Sequence, residues 1–552
     1  MSTRKRKPNW KAIRRKNKER ARRQHKRRLE QEALFEKILS DSSVENPAEL
    51  YPEARRMHRY FILHIGDTNT GKTYQALQDM AQAESGLYLA PLRLLALEVQ
   101  ESMLSQGVLC SMTTGEEDDF VQGAKHLACT VEKMPSAKQF GIEPDVAVID
   151  EAQMIRDSSR GWAWLAAVLG LSCERIHVCM SEDAEQVITS LIEMCGDDYE
   201  IVRHTRETEL ITEDRPFRFP KDVREHDALV VFSKKKVLAV ASELERKGVR
   251  TSVIYGALPY AVRKEEMRKF TSGESSVAVC TDAIGMGMNL PVERIVFLES
   301  SKYDGKEIRL LENAEIRQIA GRAGRRGLFE QGYVNALTDR EYLYALLREP
   351  YQPIEYVIMQ MPESLIEVPL PLSQILEKWQ KLEDTEFLHK ADTKAQLKLC
   401  RLLEGQRFSH VTIAKKQMLA LINIPFDEED PQLVELWQQL VLAFYADEAL
   451  DRYLPYISKK AELDRLEGIY RTLDLIFSFA RTVHYEDEAL MQRIRSDKEK
   501  TAREIMRQLK KKNFSRTCRV CGKPLSWDYP FSVCENCYES ERRYRRYRRR
   551  ER

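Results

Sequence analysis

Two regimes of hydrophobic patterning divide the chain. From about residue 58 to 345, short unbroken apolar runs recur with helix-like segments between them. Phe61–Ile65, Leu87–Ala90, Val146–Ile149 and Ile176–Met180 are predicted strands, and after a break so are Ala228–Phe232, Thr251–Tyr255, Val277–Cys280 and Ile295–Leu298. Stretches such as Thr73–Ala83 and Leu92–Glu101 read as helices. Strands alternating with helices predict a parallel sheet with crossover helices. Two such series, 58–208 and 209–345, predict two α/β domains in tandem. Beyond about Pro350 the strand signal fades, and 370–510 reads as mostly helical. There Leu433, Trp437, Leu440, Val441 and Phe444 follow a three-to-four spacing, an amphipathic helix face whose plain reading is core.

Composition narrows the class. A chain of 552 residues is too long for one core, and 43% hydrophobic with 32% charged residues excludes a largely disordered protein. Modest proline and glycine, 20 and 23, exclude collagen-like or proline-rich architecture. No apolar run approaches a membrane span, so no membrane partner is expected, and the charged N-terminus lacks the apolar core of a secretory signal. The net charge of +2 hides an asymmetry. Residues 1–28 hold 15 Lys/Arg and one acid, Glu19, while Lys510–Arg552 holds 14 basic and 5 acidic residues. Like-charge blocks usually stay disordered and often grip polyanions. The favoured expectation is therefore a grip on nucleic acid, with a solvating tail or an organelle-targeting peptide as alternatives. The basic arm is expected to be helical to about Leu39 and to join the first domain through a polar linker, giving a 1–57 unit.

Three motifs carry chemistry. Gly66-Asp-Thr68-Asn69-Thr70-Gly71-Lys72-Thr73 follows a predicted strand and opens a predicted helix. Glycines let backbone N–H groups approach a phosphate chain, the helix N-terminus favours anions, and Lys72 neutralises the outer phosphates. Thr73 supplies a hydroxyl for Mg²⁺. Some eighty residues on, an apolar strand ends in Asp150-Glu151-Ala152-Gln153. Asp150 would hold Mg²⁺, and Glu151 would orient or deprotonate the attacking water. The second series supplies Gln318-Ile-Ala-Gly-Arg322-Ala-Gly-Arg325-Arg326. A planar guanidinium suits a transition state whose charge spreads over phosphoryl oxygens. Arginines from a second domain acting on a nucleotide held by the first would couple hydrolysis to domain closure.

In this order and spacing the motifs resemble superfamily 2 DExH-type helicases, most of all the mitochondrial RNA-degradosome helicases and their bacterial relatives. Smaller matches sharpen the likeness: Ala90-Pro91-Leu92-Arg93, Thr114-Gly115-Glu116, Cys129-Thr130-Val131-Glu132, Val231-Phe232-Ser233-Lys234, Val253-Ile254-Tyr255-Gly256 and Thr281-Asp282-Ala283-Ile284-Gly285-Met286-Gly287-Met288-Asn289. The resemblance covers about 60–345. It implies two RecA-like domains, with Gly287 and Asn289 lining the nucleotide cleft. It also implies that Pro91, Arg93, Thr114, Thr130, Ser233, Gly256 and Thr281 track a strand backbone, and that movement runs 3′→5′. Two departures are visible. Asp67 stands where the family usually has proline, and Met180-Ser181-Glu182-Asp183 lacks the usual Ser-Ala-Thr.

The C-terminal end is separate. Cys518-x2-Cys521 and, twelve residues on, Cys534-x2-Cys537 have zinc-ribbon spacing, and four thiolates make a closed structural site. An Arg-rich tail follows whose Tyr544 and Tyr547 would stack on exposed bases. The predicted order is thus helical region 346–512, zinc ribbon 513–541 and tail 542–552. The reading is an ATP- and Mg²⁺-dependent RNA helicase or translocase with one structural Zn²⁺. A DNA helicase and a nucleotide-switched RNA- or ribosome-binding factor that does not unwind remain as alternatives. Family members work with exoribonucleases, so such a partner, or the ribosome, is open. Bacterial cytoplasm is the first expected location and mitochondrial matrix the second.

Overall fold

The structure is a computed structural model that describes residues 10–41, 46–115, 117–285, 290–325, 327–408, 410–458, 460–511 and 516–540. The first sheet is built from β1 (Tyr60–Ile65), β2 (Gly86–Ala90), β3 (Cys110–Thr113), β4 (Asp118–Asp119), β5 (His126–Thr130), β6 (Val146–Ile149), β7 (Arg175–Met180) and β8 (Asp198–Arg203). Their order is β4-β3-β5-β2-β6-β7-β1-β8, parallel throughout except for the short β3–β4 pairing. Strands β2, β5 and β6 are buried along their whole length because helices cover both faces, and β2 and β6 accordingly read as apolar runs. The register pairs Ile65 with Met180 and Ile149 with Val178, so β1, β6 and β7 end at one edge. That edge is where an open parallel sheet receives its ligand.

The second sheet contains β9 (Glu209–Thr212), β10 (Asp227–Val230), β11 (Thr251–Ile254), β12 (Val277–Cys280), β13 (Arg294–Phe297) and, after an antiparallel hairpin of β14 (Ser301–Tyr303) and β15 (Ile308–Leu310), β16 (Gln331–Ala336). Its order is β11-β12-β10-β13-β16-β9, all parallel. A small parallel pair, β17 (Val357–Met359) and β18 (Leu388–Lys390), precedes most of the helices of the third region.

These helices do not form a separate core. Trp164 and Ile155 under the first sheet pack into one hydrophobic cluster with Val357, Leu365, Trp379, Trp437 and Phe479. The long helices Leu463–Thr482 and Glu488–Lys511 also send Leu463, Leu466, Ile505 and Leu509 into the core of the second sheet. The helical region therefore bridges both sheets. Among the described residues no helix is long and apolar enough to cross a membrane.

The basic arm is helical, as its pattern predicts. Trp10–Asp41 is one helix, braced by Arg15–Glu19 and Arg28–Glu32 pairs one turn apart. Phe35 near its end is buried in the main cluster, beneath the Lys378 ammonium, and Gln31 donates to the Pro369 carbonyl at 2.7 Å. Phe35, with Ile38 and Leu39 packed against the same cluster, and a carbonyl bond seat the end of the helix, while the described basic side chains between Arg15 and Arg28 are exposed.

Candidate nucleotide site and strand cleft

β1 runs directly into the glycine-rich loop. Asn69 and Gly71 adopt the left-handed conformation, with φ of 64° and 85°, and Gly71 opens the helix Lys72–Gln82. A Cβ at Gly66 would meet the His204 carbonyl at 2.5 Å, so only glycine fits there. Lys72 is buried, and its Nζ donates to the carbonyls of Gly66 at 2.9 Å and Asp67 at 3.1 Å. The loop thus holds the ammonium inside its own curve, where a phosphate oxygen would be received.

Asp150 lies at the end of β6 with 3% exposure. Its Oδ1 accepts from the Thr73 hydroxyl at 3.0 Å and from the Glu151 N–H at 3.0 Å, and its Oδ2 accepts from the Tyr88 hydroxyl at 2.8 Å. Burial, and next to it the Glu151 charge, push its carboxyl up to about 6, against the opposing pull of the Tyr88 hydrogen bond. The converging Thr73 hydroxyl and Asp150 carboxylate are a hard oxygen pair that fits Mg²⁺. Glu151 sits at φ 50°, a strained position for a non-glycine residue of the kind that clusters at functional sites. The Gln153 amide donates to the Glu151 carboxylate and accepts from the Ser181 N–H at 3.3 Å, linking the acid pair to the segment after β7.

The second sheet delivers its arginines through the helix Asn313–Ala320 and the turn after it. Arg322 donates to the Gly285 carbonyl at 3.1 and 2.6 Å. Burial holds it below the usual arginine range, while the Glu151 and Asp150 carboxylates oppose that shift. Thr73, Asp150, Glu151 and Arg322 line one cleft of about 840 Å³, whose lining also includes Glu98, Tyr260 and Lys264. Gln318 packs beside Gly285, and Arg325 is half-buried, with burial lowering its pKa. The Asn69 amide donates to the Gly321 carbonyl at 2.9 Å, and the Thr68 side chain abuts Gly321, so the phosphate loop touches the arginine turn. Gly287 and Asn289 lie outside the described residues, as do Tyr544 and Tyr547 of the tail.

Sequence reasoning missed several residues that hold this arrangement. Arg206, between the two sheets, donates to the carbonyls of Thr208 at 2.7 Å and Gly321 at 3.1 Å, and to that of Ala323. The Thr208 hydroxyl donates to the Gly324 carbonyl at 2.7 Å. Under the loop three imidazoles form a chain: His204 Nε2 to His64 Nδ1 at 2.9 Å, His64 Nε2 to His177 Nδ1 at 2.8 Å, and His177 Nε2 to Asp79 at 2.8 Å. Burial, with the neighbouring histidines adding to it, pushes His64 down to about 4, so its ring is neutral at pH 7. Tyr88 and His64 sit within strands, where nothing in the local pattern separates them from core positions.

The seven residues assigned to a strand divide. Pro91, Arg93, Thr114 and Thr130 line a single cleft of about 710 Å³ whose opposite wall is helical region: Gln360, Gln396, Asn423 and Phe426. Arg160 fixes one rim by pairing with Glu132 at 2.6 Å and donating to the Pro91 carbonyl at 2.7 Å. Arg481 and Ser478 fix the other by donating to the carbonyls of Thr114 at 3.0 Å and Gly115 at 3.1 Å. The remaining three belong to the second sheet and do not line this cleft. Ser233 caps the helix Lys234–Glu245 and faces a cavity of about 1030 Å³ shared with the C-terminal module. Gly256 is exposed and Thr281 is buried.

In that module the four thiol sulfurs of Cys518, Cys521, Cys534 and Cys537 lie within 4.8 Å of one another. A tetrahedral zinc with Zn–S of about 2.3 Å separates its sulfurs by about 3.8 Å. The Cys521 and Cys534 sulfurs are 3.7 Å apart, and the Cys534 N–H donates to Cys518 Sγ at 3.3 Å, which favours a thiolate. The cluster fits a zinc ribbon. Trp527 anchors it: the indole is 5% exposed in the core of the second sheet, edge-on to Phe219, and its backbone N–H donates to Glu243 at 3.1 Å.

Comparison with known proteins places the core. Residues 47–204 match the family model of the DEXQ-box helicase domain of Suv3, and residues 215–327 match the helicase conserved C-terminal domain. The mitochondrial ATP-dependent RNA helicase SUV3 of Candida albicans is 42% identical over 321 residues, 56% of this chain and 44% of that protein. The mitochondrial ATP-dependent RNA helicase SUPV3L1 of Homo sapiens is 32% identical over 467 residues, 79% of this chain and 58% of that protein. The chain spans about half the length of the curated relatives it matches. Among solved structures, the DEAH/RHA helicase HrpB of Escherichia coli aligns at 14% identity with a TM-score of 0.48, over 83% of this chain and 62% of that one. The two parallel-sheet domains of this chain are a Suv3-type DEXQ-box helicase domain and a helicase conserved C-terminal domain.

Proposed function

We propose that this chain is an ATP-dependent RNA helicase or translocase that moves 3′→5′ along a single strand. One observation carries the reading: Thr73 at the end of the phosphate loop, the Asp150-Glu151 pair and Arg322 line one cleft, each sheet supplying part of it, and Asn69 of the loop bonds the arginine turn at Gly321. Bound Mg-ATP supplies the phosphoryl group and a divalent charge that Thr73 and Asp150 would hold. Backbone N–H groups of Thr68–Thr73 receive the phosphates, and Lys72 exchanges its carbonyl partners for phosphate oxygens. Glu151, aligned by Gln153, holds the attacking water. Arg322 and Arg325 stabilise charge on the transferring group, and Gln318, with Gly287 and Asn289, completes the second-sheet wall. Because Arg322 also bonds the Gly285 carbonyl, loss of the phosphoryl group alters a contact within the second sheet, which is how hydrolysis would move one sheet against the other.

The strand would lie in the cleft between the first sheet and the helical region, on Pro91, Arg93, Thr114 and Thr130, with Ser233, Gly256 and Thr281 extending the path. Such contacts grip backbone without reading sequence, as a translocase needs. The four-cysteine cluster would hold one structural Zn²⁺ and keep Trp527 seated. The proposed boundaries are those of the motifs and composition: 58–208, 209–345, 346–512 and 513–541. The relatives are named mitochondrial RNA helicases, which favours RNA and the mitochondrial matrix; the bacterial cytoplasm gains no support from them.

Strand displacement tests the reading. A duplex with a 3′ RNA overhang should be unwound with ATP, and one with a 5′ overhang or blunt ends should not. Displacement restricted to DNA would favour a DNA helicase. ATP hydrolysis without displacement of any duplex would favour the nucleotide-switched factor.

A further inference from the structure

The segment leaving the second sheet crosses back over the nucleotide site. The Glu349 carbonyl accepts from the Arg317 guanidinium and from the Asn313 amide, both on the helix that precedes the arginine turn. Two residues on, the Tyr351 hydroxyl donates to Asp67 Oδ1 at 2.6 Å, inside the phosphate loop, and Arg317 lies 4.4 Å from the Tyr351 ring centre. Then the Ile354 N–H donates to the Asp183 carbonyl at 2.8 Å. Residues 349–354 thus touch the arginine helix, the phosphate loop and the segment after β7. The chain next enters β17, and Gln360 just beyond it lines the strand cleft.

Both points where this strap meets the first sheet are points where the sequence departs from its family. Asp67 is the more consequential. A carboxylate in a loop built to receive phosphates repels the ligand unless it is restrained and its charge is offset. Asp67 meets both conditions. The Tyr351 hydroxyl, which burial and Asp67 itself keep protonated, fixes Oδ1, and the half-buried guanidinium of Arg206 lies near enough to interact with the Asp67 charge. The Asp67 carbonyl remains on Lys72, on the phosphate side. We propose that Tyr351 is a positioning residue for the nucleotide: its hydroxyl holds the Asp67 carboxylate out of the space that the phosphates occupy. The inference rests on the reading of Gly66–Thr73 as the nucleotide loop.

The test is equilibrium binding of a fluorescent ATP analogue with Mg²⁺ to the full chain, in wild type, Lys72→Ala, Tyr351→Phe, Asp67→Asn and the Tyr351→Phe/Asp67→Asn double variant. A hydrogen bond to a charged group sets the scale, so Tyr351→Phe should weaken binding about tenfold. With Asp67→Asn already present there is no anion to restrain, and the same change should cost under about twofold. Asp67→Asn alone should bind at least as tightly as wild type. Unchanged binding by Tyr351→Phe overturns the proposal. So does an equal loss in the Asp67→Asn background, which would mark Tyr351 as a packing residue, or weaker binding by Asp67→Asn alone. Failure of the nucleotide reading looks different: wild type that does not bind, or Lys72→Ala that binds as wild type does, removes the site itself and the proposal with it.

Discussion

Removal of the Tyr88 hydroxyl should weaken ATP hydrolysis near neutral pH and let it recover in alkali. Asp150 is 3% exposed, and its carboxyl is pushed from 3.8 to about 6. That shift corresponds to about 3 kcal/mol against ionisation. The Tyr88 hydroxyl, 2.8 Å from Oδ2, is one of the groups that favour the ionised form. A hydrogen bond to a charged group is worth ~1.5–3 kcal/mol, so its loss raises the carboxyl by about one to two further units. That carries it past pH 7. Only the ionised carboxylate can act as a ligand, so kcat/KM for Mg-ATP at pH 7 should fall about two- to tenfold in Tyr88→Phe. Tyr88 is fully buried and phenylalanine keeps its ring, so no cavity accompanies the change. The assay is steady-state ATPase from pH 5.5 to 9. Wild type should show an acid limb near 6, and Tyr88→Phe the same limb displaced upward, with the two converging at pH 9. An identical loss at pH 7 and pH 9, or a limb that does not move, would refute the argument.

Two further outcomes follow from the same contacts. Stripping metal from the four-cysteine cluster, or Cys518→Ser, should release Trp527 from the second sheet, seen as a red shift in tryptophan emission with faster proteolysis after about residue 511; truncating such an anchor costs ~3–5 kcal/mol. Below pH 6.5 thermal stability should decline in a His64-dependent way. His64 titrates near 4 when folded and near 6.5 when unfolded, so its contribution is whole above about 6.5. It is lost as pH falls toward 4, because only the unfolded chain takes up the proton; His64→Gln should flatten the melting temperature across that window, and an unchanged slope would contradict it.

How much of this was legible in the sequence depended on where chemistry and burial coincide. Strands buried on both faces, such as β6 and β12, read as unbroken apolar runs and were visible at once. β3 (Cys-Ser-Met-Thr) and β5 (His-Leu-Ala-Cys-Thr) are equally buried, but their small and polar residues hide them. β8 (Asp-Tyr-Glu-Ile-Val-Arg) lies at the sheet edge, largely exposed, and carries no apolar run at all. The phosphate loop, the acid pair and the arginine turn were legible because each packs its function into consecutive residues. Tyr351, Arg206 and Arg481 were not, because each acts on partners more than a hundred residues away, which no local pattern announces. Ser233 has a local role that its motif does not announce: its hydroxyl accepts from the Lys236 N–H as a helix cap.

In the proposed cycle a strand in the cleft drives hydrolysis in the site beside it. Steady-state ATPase with no nucleic acid, with single-stranded RNA and with matched single-stranded DNA tests it most directly, with Glu151→Gln as the inactive control. Stimulation should be strong with RNA, weaker with DNA, and absent in Glu151→Gln. ATPase that is intact yet indifferent to either strand would contradict it.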